Sequence, residues 1–176
     1  MRLELFHGTI KRFAEDITNN GIDIHKSREK LDFGKGFYLT NIKYFAERWA
    51  IDMAKFHSRR GRNRKPSKEI PTILTFTADT EGLDLNIVTF KGANDEWAKE
   101  IYYQRVKGLD RSDVDIIIGP IVDSGIREAI NKVESGEYTM SMFINRIKRM
   151  DKIDIQYVFK TERAISALRL EKVEEV

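Results

Sequence analysis

The 176-residue chain contains no cysteine. That absence excludes a disulfide framework, a thiol nucleophile and a thiolate metal site. Proline occurs three times and glycine eleven times, too few for a linker-rich or collagen-like chain. No apolar run approaches the length of a transmembrane helix. The start, MRLELFHGT, lacks the long apolar stretch of a secretory signal. A cytoplasmic location is the resulting expectation, with no membrane partner. The formal net charge of +3 is too small to mark a dedicated nucleic-acid binder.

What is present is an ordinary globular balance of 41% hydrophobic and 34% charged residues. The length suits one domain spanning 1–176. The basic charge is uneven. Residues 57–68, HSRRGRNRKPSK, carry six Lys and Arg and no acid. A solvated loop and a phosphate-contacting patch both fit that composition.

Short strand and helix patterns alternate irregularly, which points to an α+β fold. LELF at 3–6 reads as a strand. Ile10, Phe13 and Ile17 form the stripe of a short helix that Gly21 can end. Residues 22–35 have no strong period and read mainly as a loop. GFYLT at 36–40 is a strand, Asn41 a cap, and Ile42, Phe45, Ala46, Trp49 and Met53 an inward helix face.

TILTFT at 72–77 and LDLNIV at 83–88 suggest a strand pair. Asn94 can cap a helix through Arg105, with Trp97 and Ile101 inward. VDIII at 114–118 is a buried-strand candidate, and helices follow around Ile126–Val133 and Phe143–Met150. IQYVFK at 155–160 is a strand, Thr161 opens a short helix, and ALRLEKV is a last strand.

The candidate chemistry sits in FHGT at 6–9, GKGFYLT at 34–40 and the strand around Gln156. GKG is no dinucleotide fingerprint, because it precedes a strand instead of following one. FHGT, a short helix ending at Gly21, and then KGFYLTNIKYFAERWA closely resemble the diphtheria-toxin and poly-ADP-ribose-polymerase class of ADP-ribosyltransferases, known by a His–Tyr–Glu triad. The first 50 residues carry the resemblance best, and 55–150 match that class poorly. The whole chain also looks like a bacterial family of uncharacterised proteins, DUF3990-like, near the same clan.

The resemblance implies an ADP-ribosyltransferase-like fold, with two small, mainly antiparallel sheets and short helices around an NAD cleft. NAD would be the substrate, one ADP-ribose would pass to an unknown protein or nucleic-acid acceptor, and nicotinamide would leave. A toxin-like role would imply a neutralising partner. His7 would bind a hydroxyl of the adenine-side ribose, and the Gly8 backbone would pair with the nicotinamide carboxamide. Tyr38 would stack on the nicotinamide ring, with Trp49, eleven residues later, on its other face. Thr9, Lys35, Gly36 and Phe37 would complete the cofactor-binding set. Trp49 has a second reading as core packing.

Cleaving the nicotinamide–ribose bond develops positive charge on the sugar, which a nearby carboxylate stabilises. The family's Glu begins a strand of the form Glu-Tyr-apolar. Here the matching string is Gln156-Tyr157-Val158-Phe159. An uncharged Gln still accepts a hydrogen bond, but a more weakly held one. His7, Tyr38 and Gln156 are the implied catalytic set. Three readings of Gln156 stand: a slow transferase, a substitute acid, or an NAD-binding pseudoenzyme. Glu162 and Asp123 are candidate acids, though both fit helix-start or turn roles. Arg28 and Lys35 could meet the pyrophosphate or be solvated loop charges. His25 and His57 lack a partner at ligand spacing, so no metal is expected. A nucleic-acid-binding protein working through 57–68 is the remaining alternative.

Overall fold

In a computed structural model, residues 2–58, 68–109, 111–122, 125–148 and 154–176 are described. The chain is α+β, with seven strands and six α-helices among these residues. They divide into two compact units, each assembled from separate stretches of sequence. The first holds residues 1–23, 38–84 and 162–176, and the second holds 24–37 and 85–161.

The first unit is built on β1 (Arg2–Ile10), which pairs along its whole length with β3 (Pro71–Asp79), antiparallel, with His7 opposite Leu74. On its far side β3 pairs with the C-terminal strand β7 (Leu168–Glu175), again antiparallel, with a bulge between Thr75 and Phe76. On its other side β1 meets β2 (Phe37–Thr40), with Phe6 opposite Thr40. Leu5, Ile73, Leu74 and Phe76 are buried, as the apolar runs of β1 and β3 require.

Two long helices and the short helix Glu162–Ile165 belong to this unit. In α1 (Lys11–Asn20) the buried residue is Ala14, and Phe13 is exposed. The stripe read from Ile10, Phe13 and Ile17 is therefore rotated toward the small residue. Gly21 ends the helix at φ 84°, a backbone region that glycine enters without penalty. In α2 (Lys43–Ser58) the buried residues are Ala46, Ala50 and Ala54, at a spacing of four. The expected inward face is corrected here too, because Trp49 is 65% exposed. An alanine face lets a helix approach a sheet closely. Gly8 shows how closely: a Cβ there would lie 2.0 Å from the Ala46 carbonyl oxygen. Phe6, Ala46 and Ile73 form one buried cluster. At the start of α2 the Thr40 hydroxyl, where Asn41 was expected to act, accepts from the Ile42 N–H.

In the second unit β4 (Ile87–Thr89) runs parallel to β5 (Ile116–Pro120), and β5 runs antiparallel to β6 (Ile155–Phe159). Residues 83–88 thus do not form a pair with 72–77; their strand portion joins β5. β4 is only three residues long, with Ile87 and Thr89 exposed, too short to show an alternation. The strands of this unit are thus β4, β5 and β6 in that order, and those of the first unit run β2-β1-β3-β7.

Helix α3 (Asp95–Lys107) starts where Asn94 Oδ1 accepts from the Trp97 N–H at 2.8 Å. Trp97 is buried and its indole N–H donates to the Pro120 carbonyl. Helices α4 (Ile126–Glu134) and α5 (Met140–Lys148) follow. Thr139 caps α5 through the Met142 N–H, and Phe143, Ile144 and Ile147 are its buried face. The last helix, α6 (Glu162–Ile165), precedes β7. No helix among the described residues is long and apolar enough to cross a membrane.

Candidate functional site

His7 sits on β1 with part of its surface accessible. Its Nδ1 lies 2.8 Å from the Tyr38 carbonyl oxygen. A carbonyl only accepts, so Nδ1 carries the hydrogen and donates. The protein packed around the ring pulls the imidazole pKa below its ordinary value, and the bond to Tyr38 offsets this only in part. The ring is therefore neutral at pH 7. In that tautomer Nε2 is the acceptor nitrogen, suited to a hydroxyl or amide donor.

β1 and β2 run alongside each other here, antiparallel from the Phe6–Thr40 pair, and the His7 ring reaches the Tyr38 carbonyl across them. Tyr38 is half-buried, between the buried Phe37 and Leu39. Gly8 is buried where α2 crosses β1, so its lack of a side chain is explained by that crossing. Thr9 is buried as well and donates its hydroxyl to Met53 Sδ at 3.7 Å. Its side chain is thus engaged with α2. Trp49 lies on the same helix, exposed. His7, Tyr38 and Trp49 all belong to the first unit.

Two cavities of this unit lie away from these residues. One of about 350 Å³ is lined by Ile51, Ala54, Ser58, Glu69 and Pro71 among others. Another of about 270 Å³ lies among α1, Thr72 and β7. Both are enclosed mainly by aliphatic and exposed charged groups, without an aromatic ring to hold a flat ligand.

Several of the other sequence candidates belong to the second unit. Lys35 is exposed and pairs with Glu29 at 3.0 Å, and Arg28 is exposed too. Gly34 takes φ 73°, and a Cβ on it would meet Gln104 Oε1 at 2.5 Å. A Cβ on Gly36 would strike Val158 of β6 at 2.6 Å. Both glycines of GKG thus admit close packing. Lys160 closes this turn from below by donating to the carbonyls of Phe33 and Lys35, each at 2.7 Å. Phe37 is buried.

Gln156 lies opposite Gly119 on β5 and is 7% exposed. Its Nε2 donates to Pro120 O at 3.2 Å and to Asp32 Oδ2 at 3.3 Å. The other oxygen of Asp32 accepts from Arg105, Nε at 2.6 Å and a terminal nitrogen at 2.5 Å. The position expected to hold a glutamate therefore faces a carboxylate and a carbonyl. A neutral amide suits these partners, whereas a second carboxylate would be repelled. Gln156 is thus not simply a glutamate that has lost its charge. Its surroundings call for a donor.

Sequence reasoning missed Asp32 and Arg105. Asp32 falls in the stretch 22–35, which has no period, and nothing local links it to position 156, 124 residues away. A second buried charge pair involves α3. Arg111 binds both oxygens of Glu100, and Gln104 Nε2 donates to Glu100 at 2.9 Å. Burial acts to raise the Glu100 pKa, but these hydrogen bonds and the arginine charge prevail and lower it.

Glu162 is exposed in the first turn of α6, where a carboxylate complements the helix dipole. His57 stacks edge-on against Phe13 and Phe56 and lies 3.2 Å from Arg12. Asp123 and residues 59–67 of the basic segment lie outside the described residues. Among the described residues no group of three or more His, Asp or Glu is placed to hold a metal ion.

A family profile described as "Protein of unknown function (DUF3990)" matches residues 3–170. That span runs from β1 into β7 and takes in every candidate described above. No curated protein and no solved structure matches the chain.

Proposed function

This chain belongs to the DUF3990 family, and we propose that it is an NAD-binding protein of the ADP-ribosyltransferase kind. It transfers a single ADP-ribose from NAD to a macromolecular acceptor and releases nicotinamide. The observation that carries the reading is the exposure of Trp49. Core packing was the competing role for that residue, and α2 packs through alanines instead. A tryptophan 65% exposed to water, on the helix that follows the Tyr38 strand, is suited to hold a flat aromatic ring. The neutral His7 supports the same reading, because a sugar hydroxyl donates well to an uncharged imidazole nitrogen.

Within this reading Tyr38 and Trp49 bind the nicotinamide ring, His7 binds a ribose hydroxyl, and Gly8 offers backbone polar groups. For Gln156, in the second unit, the resemblance implies a hydrogen bond accepted from a ribose hydroxyl. Lys35 and Gly36 contribute less than the motif alone suggests, since Lys35 is paired with Glu29 and Gly36 is fitted to β6.

A second reading, binding of NAD without turnover, is favoured by one observation: Gln156 is built into a hydrogen-bonded network that a catalytic carboxylate would disrupt. Calorimetry with NAD tests the common core of both. Heat from the wild type, lost in Tyr38→Ala and in Trp49→Ala, is the expected result. No heat from the wild type would sink both readings. Nicotinamide release, measured on the same samples, then separates enzyme from binder.

A further inference from the structure

We infer that Asp32 is the positioning residue for Gln156: its carboxylate fixes the amide so that Oε1 is presented as the hydrogen-bond acceptor for a sugar hydroxyl. The inference rests on the NAD reading, in either its catalytic or its binding form, for the identity of the ligand. It rests on the geometry of the second unit for everything else.

An amide has one acceptor end and one donor end, and which way it points depends on its neighbours. Around Gln156 the neighbours at one end are both acceptors, a carboxylate oxygen of Asp32 and the carbonyl of Pro120. Only the NH2 group can face them. Both of its hydrogens are thereby used, and Oε1 is turned away. A free glutamine side chain would populate both orientations.

Asp32 can do this because it is itself held. Arg105 grips its other oxygen and holds the carboxylate in place. Its side chain is only 12% exposed, which limits competition from water. Donating to a charged acceptor also polarises the amide, drawing negative charge onto Oε1. The network thus returns to a neutral residue part of the acceptor strength that a glutamate would have had. It also accounts for the absence of glutamate at 156, since two carboxylates would then face each other at about 3 Å.

This reverses the simplest expectation from sequence, that Gln156→Glu raises NAD turnover. With Asp32 present, the new carboxylate meets Asp32 and the Pro120 carbonyl, and turnover falls about tenfold. With Asp32→Asn in the same chain, the asparagine amide can donate to that new carboxylate while its oxygen faces Arg105. Gln156→Glu then raises turnover about tenfold over Asp32→Asn alone. The sign of one substitution depends on the other residue.

The test uses the full chain and two readouts. The first is the side-chain amide of Gln156 by 15N NMR without ligand, assigned through Gln156→Met. A wide separation of its two proton shifts, collapsing in Asp32→Asn with the rest of the spectrum preserved, supports the inference. Proton shifts unmoved by Asp32→Asn overturn it, whatever NAD does. The second readout is nicotinamide release, or NAD affinity if no release occurs, across the four chains of the cycle. A reversal of sign supports the inference, and equal effects of Gln156→Glu in both backgrounds overturn it. If the wild type neither binds nor turns over NAD while the amide signature stands, the NAD reading has failed and the hold of Asp32 on Gln156 has not.

Discussion

The two units solve different packing problems and leave different traces. The first brings α2 against β1 through small residues. Gly8 and Ala46 let backbone approach backbone, and Ala50 and Ala54 continue the contact. Its site residues make local polar contacts: His7 on Tyr38, Thr9 on Met53. The second unit buries charge. Asp32 with Arg105, and Glu100 with Arg111, tie loops and helix α3 together and leave little of either carboxylate to solvent. The first unit therefore relies on small residues where helix meets strand, and the second adds buried ion pairs to close-packed glycines of its own. The two tryptophans follow the same division: Trp49 of the first unit is exposed, and Trp97 of the second is buried.

The largest effect on stability is expected where the first unit has no room. In Gly8→Ala the new methyl would sit 2.0 Å from the Ala46 carbonyl oxygen, and the obstacle is backbone. The helix must move away from the strand. A loss of about 3 kcal/mol is expected, the upper range for overpacking a core. Urea denaturation measures it. A cost below about 1 kcal/mol would show that α2 is not pinned to β1 by this glycine.

Next comes the charge network of the second unit. Asp32→Ala leaves Arg105, itself 25% exposed, without its carboxylate, and removes one acceptor from Gln156. The expected loss is about 2 kcal/mol, less than for a fully buried pair because water reaches Arg105. Asp32→Ala with Arg105→Met should recover part of it, since no unpaired charge then remains. If the double variant is less stable than the single one by the full cost of losing Arg105, the pair is not coupled and the contrast between the units weakens.

What the sequence reveals and hides in each unit follows from the same contrast. Strands and helices with local signals were readable: β1 and β3, the Gly21 stop, the Asn94 and Thr139 caps, β6 and β7. His7 and Tyr38 stood out because short motifs carry them. The pattern points the wrong faces of α1 and α2 inward, because large hydrophobic side chains suggest burial while close approach selects alanine. Trp49 was ambiguous for that reason alone. Asp32 gave no sign at all. It lies in an aperiodic stretch, and its partners at 105 and 156 are distant in sequence. Local pattern records periodicity and turns, but a long-range ion pair leaves neither.

Acid should discriminate the units more gently. Arg111 and Gln104 hold the Glu100 carboxyl below its ordinary pKa despite burial. The unfolded chain then binds a proton more readily than the folded one. The stabilisation is present above the unfolded value of about 4.3 and is lost as the pH falls through the folded value. Glu100→Gln should be less stable than the wild type at neutral pH and should approach it in acid. Thermal melts between neutral pH and the acid limb measure this. His7 acts in the same direction nearer neutrality: its lowered pKa makes acidification below about 6.5 begin to cost stability. Two parallel stability curves, offset but equally steep in the acid range, would remove Glu100 as a titrating contributor.

The smallest effect on stability is the one most informative about function. Trp49 is 65% exposed, so its truncation uncovers little of the core. Trp49→Ala should change unfolding free energy by no more than about 0.5 kcal/mol, the range of ordinary surface substitutions. A residue chosen for the core would cost several times more on truncation. If Trp49 instead serves a ligand, its loss should abolish most NAD affinity while the folded chain is unharmed. The pairing of those two results is the test. A large loss of stability would return Trp49 to packing and remove the observation on which the NAD reading depends. Unchanged NAD affinity in a stable variant would leave Tyr38 and His7 to hold the nucleotide without it. A stable variant that no longer binds would place the ligand on the exposed face of α2, the side of the first unit that its alanine seam leaves open.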